Sequence, residues 1–324
     1  MSQPIVVTGA AGFIGRNTVA ALNARGITNL ILVDRLRTGE KWRNLVGLEF
    51  EDLIAPDAFL ELVSTGRAPV ADAVIHLGAC SATTERDADF LLENNYRYTR
   101  CLCEWSLRTG ARFVYASSAA TYGDGAQGYV DDLATLGALR PLNMYGHSKQ
   151  LFDLWARRQG LFDRIVGLKY FNVYGSFEDH KGDMRSLVHK AYGQILERGW
   201  IELFRSERPD YADGEQKRDF IYVRDAVNVT LHFAERRDGG GLFNCGTGRA
   251  RTWIDLARAL FGAMERQEDI RFIPLPEKLR GKYQYFTEAD TARLRAAGYE
   301  KPFTSLEDGV RDYVRSYLSP GANR

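Results

Sequence analysis

The segment Val7-Thr8-Gly9-Ala10-Ala11-Gly12-Phe13-Ile14-Gly15 constrains this chain more than any other. Its three glycines recur every third residue. They stand between an apolar run, Ile5-Val6-Val7, and a helical pattern over 13–25. That context turns a glycine-rich stretch into a dinucleotide-binding fingerprint. Gly9 permits the tight turn, Gly12 lets backbone approach a pyrophosphate, and Gly15 lets the helix pack closely on the sheet. The helix start adds free N–H groups and the positive end of a dipole. Asp34 ends the next apolar run, 30–33, nineteen residues after Gly15. An acid there accepts hydrogen bonds from ribose hydroxyls. Its charge favours NAD, whereas Arg35, Arg37 and Lys41 just beyond suit the 2′-phosphate of NADP, so the spacing leaves both open.

The same alternation continues. Strand patterns at 73–76, 113–116 and 165–168 are separated by helical patterns over 57–64, 87–109 and 145–159. Near-continuous apolar strands between helices predict a parallel sheet covered on both faces, a doubly wound α/β (Rossmann-type) fold. After Asn172 the rhythm weakens. Residues 175–218 read as loops around one helix. A strand at 220–223 and a helix from Asp225 return to the first domain, and helices start near Thr252 and Ser305. The expected division is a nucleotide-binding domain of 1–171 with 218–248, and a smaller mixed α/β substrate domain of 172–217 with 249–318.

Composition excludes several classes. Lys plus Arg total 43 against 42 Asp plus Glu, a net charge of +1, which gives no field for nucleic acid or an anionic membrane. No apolar run approaches the ~20 residues that span a bilayer, and the first residues lack the basic-then-apolar pattern of a secretory leader. A cytoplasmic protein without membrane or nucleic-acid partners is expected. Cys80, Cys101, Cys103 and Cys245 are too scattered for a disulfide framework, and the five histidines show no ligand pairing, so no metal is expected.

A second constellation carries chemistry. Tyr145 and Lys149 lie four residues apart, one helical turn, and share a face. An adjacent ammonium lowers a phenol's pKa toward working pH, and such a phenol can exchange a proton with a carbinol. Ser118, just past the strand at 113–116, is placed to hydrogen-bond the same oxygen. Alone, a Tyr-x-x-x-Lys pair describes an ordinary helix surface; after the fingerprint and beside a serine-rich strand end it describes a redox centre.

With these motifs the whole chain resembles the extended short-chain dehydrogenase/reductase superfamily. Within it the chain is most similar to the nucleotide-sugar epimerases that act on an ADP-linked heptose. The resemblance rests on VTGAAGFIG (7–15), GACSATTE (78–85), NNY (94–96), YASSAATYG (115–123), NMYGHSK (143–149) and KYFNVYG (169–175). It continues through HKG (180–182), KRDFIYV (217–223), FNCGTGRA (243–250) and LRGKYQYFTEAD (279–290). It implies bound NADP, with NAD the alternative, an ADP-sugar substrate, a homo-oligomer, and inversion of C6 by oxidation and re-reduction. Tyr145 would be one acid/base and Lys181 the other, with Lys149 and Ser118 supporting the phenol. Phe13, Ile14, Asp34, Arg35, Lys41, Gly78, Ala79, Cys80, Ser81 and Asn94 would line the cofactor. Asn172, Val173, Asp183, Phe204, Arg218 and Tyr283 would meet the sugar nucleotide. Four features depart from the family pattern: Leu77 for a glutamate, Asp183 for a serine, Pro56 for a lysine, and a longer, more acidic stretch at 207–216. Rival readings are a 4-epimerase, a dehydratase and a non-catalytic cofactor sensor. The run Ser118-Ala119-Ala120-Thr121-Tyr122 carries no carboxylate of the kind that drives elimination.

Overall fold

A computed structural model describes residues 3–277, 280–281 and 283–321. Leu279 and Lys282 of the 279–290 motif lie outside the described residues. In the first half strands β1 (Ile5–Thr8), β2 (Leu30–Val33), β3 (Asp52–Ile54), β4 (Ala73–His76), β5 (Arg112–Ser118) and β6 (Ile165–Tyr170) follow in order. Then come β7 (Asn172–Tyr174), β8 (Ile201–Phe204), β9 (Lys217–Tyr222), β10 (Gly241–Cys245), β11 (Ala250–Thr252) and β12 (Ile270–Ile273). The main sheet has the order β10-β6-β5-β4-β1-β2-β3 and every pair in it is parallel.

Period-2 alternation sorts the strand side chains between two layers. Val7, Leu30, Leu32 and Ile75 face one apolar cluster, while Val6, Ile31, Val33 and Val74 face another. Helices α1 (Phe13–Asn23) and α7 (Val223–Ala234) cover the first face, with Leu22, Val227 and Leu231 buried there. Helices α4 (Tyr98–Thr109) and α5 (Met144–Arg158) cover the second with Leu102, Trp105 and Phe152. Each such side chain taken from water stabilises the fold by about 1.5–3 kcal/mol before entropy is counted.

The expected helix over 87–109 is divided. After α2 (Pro56–Ser64), α3 (Ala88–Leu91) runs into a wide π-type turn, Leu92–Arg97, before α4. Such turns are frequent at functional sites, and this one carries Asn94 and Asn95. The strand expected at 220–223 does not return to the main sheet: β9 pairs with β7 and β11 in a separate three-stranded sheet. The chain rejoins the main sheet through α7 and β10, whose Gly241 and Asn244 disguise a fully buried strand.

β8 and β12 form a small parallel pair flanked by α6 (Leu187–Arg198) and α8 (Trp253–Ala263). Two further helices follow, α9 (Ala292–Ala296) and α10 (Leu306–Tyr313). Val188, Ile195, Leu256, Leu260, Val310 and Tyr313 belong to the same apolar cluster as Val7 and Leu32. The smaller layer thus shares a continuous core with the main sheet. From β1 the chain winds outward through β2 and β3, then returns to place β4 on the other side of β1. The carboxyl ends of β1 and β4 therefore flank the point where strand order reverses, the place where ligands bind in such sheets.

Candidate active site

A cleft of about 1360 Å³ opens at that point. Gly9 has φ +67°, and a Cβ there would stand 2.7 Å from the Gly78 backbone nitrogen. A Cβ on Gly15 would stand 2.0 Å from the Gly9 carbonyl oxygen, and one on Gly12 2.9 Å from it. Only glycine lets the loop fold this tightly, and the result is a cradle of backbone rather than side chain. Gly12 caps α1 without a side-chain hydrogen bond and the first turn holds no acid, so its N–H groups can receive an anion. Asp34 accepts from Ala11 N at 2.8 Å, Arg35 N at 2.7 Å and Lys41 Nζ at 2.5 Å. Its charge is therefore already matched at the rim of the cleft. Arg35 pairs with Asp57. These residues fit a nicotinamide dinucleotide: diphosphate on the α1 start, adenosine ribose beside Asp34.

All the residues expected to line the cofactor are on the cleft wall: Gly9, Gly12, Phe13, Ile14, Gly15, Asp34, Arg35 and Lys41 on one side, then Gly78, Ala79, Cys80, Ser81 and Asn94. Leu77 and Pro56 line it too. Asn95, which the sequence did not single out, holds the second group in place. Its side chain accepts from Cys80 N at 2.9 Å and donates to Cys80 O at 2.9 Å and Ser148 Oγ at 3.1 Å. The loop after β4 is thereby clasped to α5.

Helix α5 presents Tyr145 and Lys149. Asn143 caps it, accepting from Gly146 N at 2.8 Å. A Cβ at Gly146 would meet the Ala120 carbonyl oxygen at 2.7 Å, so glycine lets the helix start lie against the turn after β5. That approach brings Ser118 and Tyr145 onto the same cleft wall, where the serine hydroxyl acts on the phenol. Further along α5, buried Asp153 accepts from Tyr115 Oη at 2.7 Å, Ser117 Oγ at 2.8 Å and Lys169 Nζ at 2.9 Å. Removing one member of such a buried set strands the others, so the set fixes α5 against β5 and β6.

The phenol's resting state differs from the expectation. Burial raises the Tyr145 pKa above its ordinary value, and the opposing influence is the Ser118 hydrogen bond, not the Lys149 ammonium. Lys149 donates instead to the Ala116 carbonyl oxygen at 2.8 Å, and burial lowers its own pKa to about 8, with Asp153 acting against that.

Lys181 lines the cleft from a helical turn, Asp179–Met184, between β7 and α6. Its Nζ stands 4.8 Å from the centre of the Phe13 ring and 3.7 Å from a Glu178 carboxylate oxygen. Burial lowers its pKa and Glu178 partly restores it. Glu178, His180, Ser186, Lys190 and Trp253 are site residues or immediate supports absent from the sequence expectations.

Asn172, Val173, Phe204 and Tyr283 line the far end of the cleft, as expected of sugar-nucleotide contacts, but two expected residues do not. Asp183 is exposed and off the wall. Arg218 is 6% exposed and turns away to the Lys217 and Gln284 carbonyls, because a buried guanidinium must find acceptors. It stands behind the wall, 5.2 Å from the Tyr283 ring centre and 5.6 Å from that of Trp253. The 207–216 stretch also contributes no wall residue; Tyr211 stacks behind Tyr285, which packs on Tyr283.

Comparison with known proteins decides the family. Residues 5–246 match the NAD dependent epimerase/dehydratase family. The chain belongs to that family. Among its relatives, a protein of Nitratidesulfovibrio vulgaris (strain DP4) named ADP-L-glycero-D-manno-heptose-6-epimerase is 58% identical over 315 residues, 97% of this chain and 98% of that one. One of the same name from Fusobacterium nucleatum is 46% identical over 97% of this chain and 98% of its own. Among solved structures, the Helicobacter pylori ADP-L-glycero-D-manno-heptose-6-epimerase superposes with a TM-score of 0.81 at 25% identity, covering 97% of this chain and 95% of that one. The Thermotoga maritima UDP-glucose 4-epimerase with UDP-glucose gives 0.77 at 26% identity, covering 96% and 97%. This epimerase therefore has a doubly wound nucleotide-binding fold and a site for a nicotinamide cofactor. Among its described residues, no helix is long and apolar enough to cross a membrane.

Proposed function

We propose that this epimerase inverts C6 of ADP-D-glycero-D-manno-heptose to give the L-glycero epimer, with NADP as resident cofactor. One observation carries the reading: a single cleft presents the Ser118–Tyr145 pair and the Lys181 amine together with the dinucleotide cradle. The names and high identity of the relatives support the substrate, and the cleft's size suits a dinucleotide and a sugar nucleotide together.

Bound nicotinamide would supply a hydride acceptor that later serves as donor. The protein handles the protons. Inversion removes the C6 hydrogen and the hydroxyl proton, then returns both with the hydrogen on the opposite face. Burial moves the two acid/base groups in opposite directions, raising the pKa of the Tyr145 phenol and lowering that of the Lys181 amine. One can take the hydroxyl proton while the other gives a proton to the ketone oxygen, and the roles exchange in the reverse reaction. Ser118 orients the phenol. Lys149 lies one turn along α5 at the cleft wall, where its ammonium can reach the nicotinamide ribose. Asn172, Val173, Phe204 and Tyr283 would hold the ADP-sugar, with Arg218 bracing Tyr283.

The Lys41–Asp34 pair supports NADP, since it offsets the charge that would repel a 2′-phosphate. Arg35, now paired with Asp57, stands at the rim where it would turn to that phosphate. A cytoplasmic, homo-oligomeric enzyme whose smaller substrate-binding part packs on the nucleotide-binding sheet completes the proposal. Purified protein, denatured and assayed for released nucleotide, is expected to yield NADP(H); NAD alone would correct the cofactor. Incubated with ADP-D-glycero-D-manno-heptose and with UDP-galactose, it should convert only the first. Turnover of the UDP-sugar alone would overturn the substrate.

A further inference from the structure

Glu178 is fully buried, 0% exposed, immediately behind the amine that faces the cleft. Such a side chain is almost never found fully buried without partners. Its partners here are a backbone N–H and two hydroxyls. Ser186 N donates at 2.6 Å and Ser186 Oγ at 2.5 Å, both from the cap of α6. Tyr313 Oη, from α10, donates at 3.2 Å. The Ser186 N–H can only donate and both hydroxyls are free to donate, so the set suits a carboxylate. The Lys181 ammonium at 3.7 Å is the cation facing it. Three separate segments thus converge to hold one negative charge under the cleft floor.

The geometry points to Glu178 as a positioning residue that sets the protonation of Lys181. This rests on the reading of Lys181 as an acid/base. A carboxylate within about 4 Å raises an amine's pKa by roughly 1–3 units, here against the lowering caused by burial. The other charged neighbours are few. Lys190 of α6 acts on Lys181 in the lowering direction, and His180 beside it is kept neutral by burial. Asp179, two residues before Lys181, accepts from Tyr317 and meets His189 Nε2 at 3.0 Å. Without Glu178, Lys181 would face burial and Lys190 unopposed, and its ammonium would no longer be held at one place on the wall.

The test is the pH dependence of kcat for Glu178→Gln and Glu178→Asp beside the parent, with bound cofactor measured in each. Whichever limb of the profile belongs to Lys181 should move to lower pH, by about one unit or more in Glu178→Gln. A smaller move in the same direction is expected in Glu178→Asp, whose charge is retained but withdrawn by one methylene. If Glu178→Gln does not fold, Glu178→Asp decides. A uniform loss of rate with unmoved limbs, or a parental profile, overturns the inference and leaves Glu178 a packing residue. Lys181→Met separates this from the parent reading. If that variant turns over normally, Lys181 is no acid/base and the reading beneath falls. If it is inactive while the Glu178 variants keep parental limbs, only the role of Glu178 falls.

Discussion

Tyr145→Phe is expected to lower turnover by about a hundred- to ten-thousand-fold, the usual contribution of a positioned acid/base. The variant deletes one oxygen atom from a ring that is already packed at the start of α5. It leaves Asn143, Gly146 and the Asp153 set untouched, so the helix should keep its place. Retained nucleotide should match the parent's, because the diphosphate cradle is built from the Gly9–Gly15 backbone and not from the phenol. The measurement pairs kcat with the nucleotide released on denaturation. A near-parental rate removes the phenol from the proton path, and a loss of rate matched by a loss of nucleotide makes it a binding residue.

Lys181→Met is the second large effect, again about a hundredfold or more. Methionine keeps an apolar stem against Phe13 while removing the amine. Glu178 would then be buried with its Ser186 and Tyr313 donors but without the cation, so a lower melting temperature should accompany the loss of rate. Turnover should fall with the KM for the sugar nucleotide changed far less than kcat. A variant whose KM rises while kcat holds would make Lys181 a substrate-binding residue only.

Much of this was legible in the sequence because it depends on local pattern. The fingerprint, Asp34 and the apolar runs of β1, β2, β4, β5 and β6 announce a doubly wound sheet, while the short edge strand β3 goes unannounced, and each expected cofactor residue reaches the cleft. What could not be read depends on pairing over long separations. β10 carries a glycine and an asparagine, and only the ladder to β6 makes it a strand. β9 looks like a return to the main sheet until β7 and β11 claim it. Arg218 suits a pyrophosphate by residue type, yet Gln284, 66 residues away, captures its guanidinium. The Tyr145–Lys149 spacing correctly places both on one face but does not report that Ala116 takes the ammonium or that burial outweighs its field. Glu178 was invisible for the same reason, since its meaning comes from Tyr313, 135 residues further on.

The central proposal is that the hydrogen lost from C6 is the one returned to it, which a nicotinamide bound in the cleft would allow, while protons pass through Tyr145 and Lys181. Epimerisation run in deuterium oxide, with the product's C6 position read by mass spectrometry or NMR, tests it most directly. The product should carry no solvent deuterium at C6, and substrate labelled there should keep its label through inversion. Solvent deuterium appearing at C6 would mean that the hydrogen leaves as a proton, and the proposed chemistry would be wrong.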